Sequence, residues 1–188
     1  MKVYIEKAGT SSYLLTFSIS QGVFSMEMHT ENLLLRTVTY DDISEVARMW
    51  NFEKGEISLD RAKEAIDWMK ENHEKNKRGK IIHICFAVFE KNSNKIIGWC
   101  GLDGRHENIL NIFYLIDKRY RRRGYATECA SIILEYGFLR MKVNRIDGKC
   151  KSENTGSKKV LEKIGMNKIG LDKDGSLHYF ITLDSYKN

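Results

Sequence analysis

At 188 residues, 42% of them hydrophobic, the chain is long enough to bury one sizeable core and leaves little for a second. No run approaches the roughly 18 apolar residues needed to cross a bilayer, and the charged first residues, Met1 to Lys7, lack the apolar centre of a signal peptide; a soluble, cytoplasmic protein with no membrane partner is expected. A net charge of +6 and a pI near 9.0 suit a phosphate-bearing partner, either a small ligand or a nucleic acid, while four cysteines and five histidines are too scattered for a metal site or a redox pair.

In chain order, residues 1–30 read as a β-rich extension, with strand-like runs at Lys2–Glu6, Tyr13–Ser18 and Val23–Met28 around a turn at Gly9-Thr10-Ser11-Ser12. A main domain is expected over residues 31–188. It opens with a short buried strand, Leu33-Leu34-Leu35-Arg36. Thr39 and Asp42 have the spacing of a capping box, and Ile43, Val46, Ala47 and Trp50 then recur at helical spacing. A second helix is predicted from Ser58, with Ala62, Ala65, Ile66 and Met69 on one face. Ile81–Glu90 and Lys95–Leu102 form a predicted hairpin around Lys91-Asn92-Ser93-Asn94, and Ile109–Ile116 is a third strong strand. Ala126, Ala130, Ile133, Leu134 and Phe138 trace a helix. Arg145–Cys150 reads as a strand, and Val160, Leu161 and Ile164 mark a last helix ending at Gly165. Met166–Leu171 and Tyr179–Leu183 close the chain as a hairpin. Helices placed between central strands imply a layered α/β sheet.

The informative place is the passage from strand Ile109–Ile116 into the helix that begins near Ala126. A helix N-terminus presents unpaired N–H groups and partial positive charge, so an anion placed there meets converging donors. Gly124 frees the backbone to approach a pyrophosphate, and small Ala126 keeps the first turn open. Thr127 can add a hydroxyl, and Arg121, Arg122 and Arg123 add attraction and forked hydrogen bonds. The bland alternative is a solvated basic loop with a glycine turn.

Arg121-x-x-Gly124-x-Ala126 resembles the acyl-CoA motif of the GNAT superfamily of N-acetyltransferases. Three further segments are similar to that family in the right order: Ile97-Gly98-Trp99-Cys100-Gly101, the strand Phe113-Tyr114-Leu115-Ile116, and Asn154 with Ser157 followed by Val160-Leu161-Glu162-Lys163-Ile164-Gly165-Met166. Arg122-Arg123-Gly124-Tyr125-Ala126-Thr127-Glu128 is closest to the RimJ/RimL-type branch. The resemblance runs from about Leu33 to the C-terminus.

It implies a mixed, mostly antiparallel central sheet with helices on both faces and a splayed parallel pair, here Ile109–Ile116 and Arg145–Cys150. Acetyl-CoA would lie in that gap. Phe113, Tyr114, Leu115 and Ile116 would pair with its pantetheine, and Arg121, Arg122, Arg123, Gly124, Tyr125, Ala126 and Thr127 would hold its pyrophosphate. Asn154, Ser157 and Lys158 would approach from the second arm, with Lys159 beside them. An amine, from a small molecule or a protein N-terminus, would attack the thioester directly in a ternary complex, so no enzyme nucleophile is required. Ser157 matches a position where a hydroxyl stands near the cofactor sulfur, although Asn154 reads equally well as a helix cap.

The chain departs from many relatives at two catalytic positions: Leu161 stands where a tyrosine acid is common, and Asn111 where some carry a glutamate base. Asp103, His106 and above all Glu107 are the local substitutes, since a partly dry strand edge can raise a carboxylate's pKa; an ordinary hairpin charge at Glu107, with water relaying the proton, is the bland alternative. Two other readings stay open: a catalytically weak or inactive acyl-CoA-binding module, and nucleic-acid binding through the basic loop. The second lacks any recognisable motif, so no nucleic acid is expected. A homodimer is carried as a candidate assembly.

Overall fold

The computed structural model describes residues 6–7, 14–20, 23–51, 54–93, 95–106 and 109–187. Ten strands among them form one sheet: β1 (Glu6–Lys7), β2 (Leu14–Ser20), β3 (Val23–His29), β4 (Leu33–Arg36), β5 (His83–Glu90), β6 (Lys95–Asp103), β7 (Asn111–Ile116), β8 (Arg145–Lys151), β9 (Asn167–Leu171) and β10 (Ser176–Thr182). Their spatial order is β1-β2-β3-β4-β5-β6-β7-β8-β10-β9. Every pair is antiparallel except β7 with β8. The expected sheet is therefore present, including its single parallel pair.

Five helices accompany the sheet: α1 (Ile43–Met49), α2 (Leu59–Glu74), α3 (Tyr125–Glu135), α4 (Thr155–Lys163) and α5 (Leu183–Lys187). The sequence signals for α1 and α2 operate as anticipated. The Thr39 N–H donates to Asp42 at 2.9 Å, and Ser58 caps α2 by accepting from the Arg61 N–H. Arg36 also forks onto Asp42, at 2.6 and 2.7 Å, tying the end of β4 to the start of α1. The helix expected through Phe138 is present, with its last stretch, Tyr136–Arg140, π-helical; α5 was not anticipated.

The core has two parts, one on each side of the sheet. On one face α3 and α4 bury Cys129, Ile132, Ile133 and Leu161 against Phe86, Leu102, Ile112 and Ile146. On the other, α1 and α2 bury Val46, Met49, Ile66 and Met69 against Ala87, Phe89 and Trp99. Strands β5 and β6 are covered on both sides, which is why they read as nearly unbroken apolar runs instead of alternating ones. Met26 and Met28 of β3 join the α3-side core. The four cysteines are buried and unpaired, as small hydrophobes. The predicted run at Lys2–Glu6 overlaps the described residues only at Glu6, and the Gly9–Ser12 turn lies outside them.

Candidate active site

Strands β7 and β8 share a single registered pair, Asn111 with Asp147, reinforced by a 2.8 Å bond from the Asp147 N–H to the Leu110 carbonyl. Beyond it each strand follows its other neighbour. β7 stays paired with β6 as far as Ile116, and β8 with β10 as far as Lys151. A gap therefore opens from the Asn111–Asp147 vertex toward Ile116 and Lys151. Backbone groups of β7 that do not bond β6 face this gap, as alternate residues of an antiparallel edge must.

The glycine turn stands at the mouth of the gap. Asp117 ends β7, accepts the Arg119 N–H at 2.9 Å and forks onto the Arg119 guanidinium, which holds its carboxyl below the usual range. A 3₁₀ turn over Lys118–Tyr120 follows. Arg122 and Gly124 both adopt left-handed backbone, with φ of 65° and 84°. Gly124 caps α3, and no atom lies within 4 Å of where a Cβ would stand. The first bond of the helix runs from the Glu128 N–H to the Gly124 carbonyl, 3.0 Å, so the N–H groups of Tyr125, Ala126 and Thr127 precede the helix's own ladder.

The three arginines are not equivalent. Arg121 folds back, its Nε donating to the Ile116 carbonyl at 2.7 Å. Arg123 approaches Glu90 at 3.4 Å, and the Tyr125 hydroxyl donates to the same carboxylate at 3.0 Å. Arg122 is exposed on the turn. Glu128 fixes the other side of the helix start, accepting from the Thr30 hydroxyl and from the Asn32 N–H and side-chain amide, the last two at 2.9 and 3.1 Å. The phosphate turn is thus anchored to β5 and to the β3–β4 connection.

On the second arm Asn154 caps α4, its Oδ1 accepting the Ser157 N–H at 3.0 Å. The Tyr114 hydroxyl crosses from β7 and donates to the Ser157 carbonyl at 3.2 Å. Burial pushes Tyr114 up to about 12, so the phenol stays protonated. Ser157 and Lys158 are half-buried, and Lys159 is exposed. Phe113, Tyr114, Leu115 and Ile116 line the first arm. The structure therefore gathers the predicted β7, turn and α4 residues around one gap.

The proposed proton acceptors fare differently. Glu107 lies outside the described residues. His106 is exposed. Asp103 is forked by Arg105 at 2.6 and 2.8 Å, and that guanidinium draws its carboxyl down to about 2, too acidic to take a proton from an amine. A cavity of about 580 Å³, lined by Met26, Met69, His73, Cys85 and Tyr136 among others, contains none of the predicted site residues.

Residues 32–167 match the family described as the acetyltransferase (GNAT) domain. The chain belongs to the GNAT acetyltransferase family. It is 25% identical over 154 residues to the uncharacterized N-acetyltransferase p20 of Bacillus licheniformis, a match covering 78% of this chain and 85% of that one. Its fold resembles the ribosomal-protein-S5-alanine acetyltransferase of Vibrio fischeri, with a TM-score of 0.71, 20% identity and coverage of 86% and 99%. It also resembles RimJ of Mycobacterium smegmatis in complex with CoA-disulfide, with a TM-score of 0.67, 18% identity and coverage of 83% and 84%. The chain is an N-acetyltransferase, and no helix among the described residues is long and apolar enough to span a membrane.

This acetyltransferase carries a row of polar residues of which the sequence singled out only Asp103 and Asn111. His83, Asp103, Asn111 and Asp147 stand in register on β5, β6, β7 and β8. His178 of β10 joins them, its Nε2 2.7 Å from Asp147 and its Nδ1 3.1 Å from Asp172. Only the alternation of Arg145, Asp147 and Lys149 with Ile146, Gly148 and Cys150 hinted that β8 has a polar face; the register that assembles the row is not written in any one segment.

Proposed function

We propose that the chain transfers acetyl from acetyl-CoA to a primary amine by direct attack within a ternary complex. The observation that carries this reading is the gap between β7 and β8 with the Gly124 turn at its mouth. Its residues fit the cofactor: a left-handed glycine with open space above it, followed by three amides at a helix start, forms a cradle that a side chain would fill. Phe113 to Ile116 would hold the pantetheine, and Arg121 to Thr127 the pyrophosphate, with Asn154, Ser157 and Lys158 on the facing arm. When bound, acetyl-CoA supplies a thioester carbonyl open to attack and a thiol as leaving group.

The chain's own part is to orient the amine, accept its proton and exclude water. Asn111 Oδ1 is buried at the vertex with no hydrogen-bond partner. It accepts only, so an N–H or O–H donor completes it, and the acceptor amine is the donor proposed. Asn111 cannot take up the proton at neutral pH; Glu107 remains the candidate acceptor on sequence grounds, and the Ser157 hydroxyl the candidate donor to the departing sulfur. Direct transfer is also supported by the thiols. Burial raises Cys150, beside the gap, and Cys85 goes to about 12, so neither supplies a ready nucleophile.

The names of similar solved structures offer both kinds of acceptor, a ribosomal protein and a nucleotide-linked sugar, and the region before residue 32, where the family match begins, is proposed as an extension to the acetyltransferase domain. The decisive experiment measures thiol release from acetyl-CoA across a panel of amines, alongside calorimetric binding of CoA. Acceptor-dependent release establishes the transferase. Tight binding without release establishes the acyl-CoA-binding module instead, and no binding removes both.

A further inference from the structure

The row His83, Asp103, Asn111 and Asp147 crosses four adjacent strands and ends where β7 and β8 part. Register partners project to one face of a sheet, and Phe113 places that face toward α1 and α2. Asn111 Oδ1 is buried without a hydrogen-bond partner, and the buried His83 Nδ1 has only the Asp103 carboxylate near it, 3.6 Å away. His83 is 6% exposed, and its ring stacks on Phe113, which lies over Gly101, where a Cβ would come within 2.9 Å of the phenyl ring. Buried polar atoms of native proteins are nearly always satisfied, and an exception at Asn111, where β7 and β8 part, points to a missing ligand group.

The charges around the row narrow what that ligand is. Asp103 is forked by Arg105. Asp147 is forked by Arg145 at 2.6 and 2.8 Å and approached by His178. Asp172 is held by Lys149 at 2.7 Å and by His178. Each of these carboxylates is thus already neutralised, and a polycationic acceptor finds no spare anion among them. What remains is donor capacity. A fork uses two of the five N–H groups of a guanidinium. Arg105 and Arg145 also keep 37% and 48% of their side chains exposed. Arg105 lies over the Trp68 ring at 5.0 Å and Arg145 over Phe180 at 4.6 Å, so both planes are fixed before any ligand arrives. Such planes are preorganised for a second anion.

We infer that the acceptor is a small amine bearing a carboxylate, of amino-acid type, with its nitrogen at Asn111 and its carboxylate on the outer N–H groups of Arg145 and Arg105. This rests on the reading that the vertex receives the acceptor amine.

The test compares the twenty free amino acids with their α-amides and with spermidine, by thiol release and, without acetyl-CoA, by calorimetry. The expected result is a preference for acids over amides of about tenfold or more in kcat/KM, with KM for the acid rising about tenfold in Arg145→Gln and further in the Arg105→Gln, Arg145→Gln double variant. Acetyl-CoA affinity checks that the variants are folded. Amides or spermidine turned over better than acids, or an undiminished preference in the double variant, overturn the inference. If no amine releases thiol, the proposed transfer fails, and calorimetry still decides this site: amino-acid binding abolished in the double variant upholds it, and no binding to the wild-type protein overturns it.

Discussion

The Tyr114 hydroxyl on β7 donates to the main-chain carbonyl of Ser157 on α4, 3.2 Å away, joining two arms that share a single ladder pair at their base. Ladder bonds would have closed the gap; a long side chain spans it and leaves backbone free. The bond also fixes the α4 turn that carries Asn154 and Ser157.

Tyr114→Phe keeps the ring and removes only this tie. A net hydrogen bond is worth about 1 kcal/mol, so the urea midpoint should fall by about that equivalent and the affinity for acetyl-CoA should weaken about threefold. Weakened stability with unchanged affinity would reduce Tyr114 to a packing residue.

Gly124 permits a similar separation of effects. Its φ of 84° is costly for any L residue, by about 1 kcal/mol, yet the space beyond its Cα is open. Gly124→Ala should therefore lose about that much stability. Gly124→Glu adds a negative side chain at the proposed diphosphate cradle and should weaken CoA binding by about tenfold, about 1.4 kcal/mol. Calorimetry on the two variants isolates the charge; equal affinities would remove the turn from the binding site.

How much of this was readable beforehand follows from the range of the signals. The Gly124 turn, the Asn154 cap and the β5–β6 hairpin are local patterns, and each appears within a residue or two of its predicted place. Asn111 was noticed only as a departure from a pattern, because its unpartnered oxygen depends on what β6 and β8 bring beside it. His83 and His178 gave no signal, and Arg145 only the alternation of β8, for the same reason: a row across strands belongs to register, and register is set by the whole sheet. Arg123 shows the same limit in a milder way: its charge suggests phosphate, and its contact with Glu90, 33 residues earlier, is not legible in the segment.

Glu128 tests what the N-terminal strands contribute. Its carboxylate gathers three donors from Thr30 and Asn32 at the first turn of α3. Glu128→Ala leaves those donors to water and should cost about 1–2 kcal/mol. Amide exchange should quicken in β3 and β4, with a rise in KM for acetyl-CoA. Exchange that changes only in α3 would show that the clamp does not couple the two regions.

Acid stability should carry the mark of His73. Burial lowers its pKa from 6.5 to about 4. The unfolded chain therefore takes up the proton first as pH falls. Stability is complete above about 6.5 and declines toward pH 4, by at most about 3 kcal/mol from this residue. His83 is shifted in the same direction, also mainly by burial. His73→Phe should flatten the acid limb of a plot of unfolding free energy against pH. A limb of unchanged slope would assign acid sensitivity to other groups.

Asn111→Leu sets stability against function. In a residue kept for the fold, removing the side-chain amide should hurt. Here the oxygen is buried without a partner, and the amide nitrogen makes only a 3.5 Å contact with the Ile109 carbonyl. Replacing such a group by an apolar one of similar size removes a desolvation cost of about 1–3 kcal/mol and loses little in return. The melting temperature should therefore rise, by several degrees for a domain of this size. Acetyl-CoA affinity should hold, because the proposed cradle lies at the far end of the gap, while kcat/KM for the amine falls by two orders of magnitude or more if the oxygen orients the attacking nitrogen. A variant that is less stable and fully active would reverse the assignment, making Asn111 a structural residue and leaving the vertex without an amine-binding group.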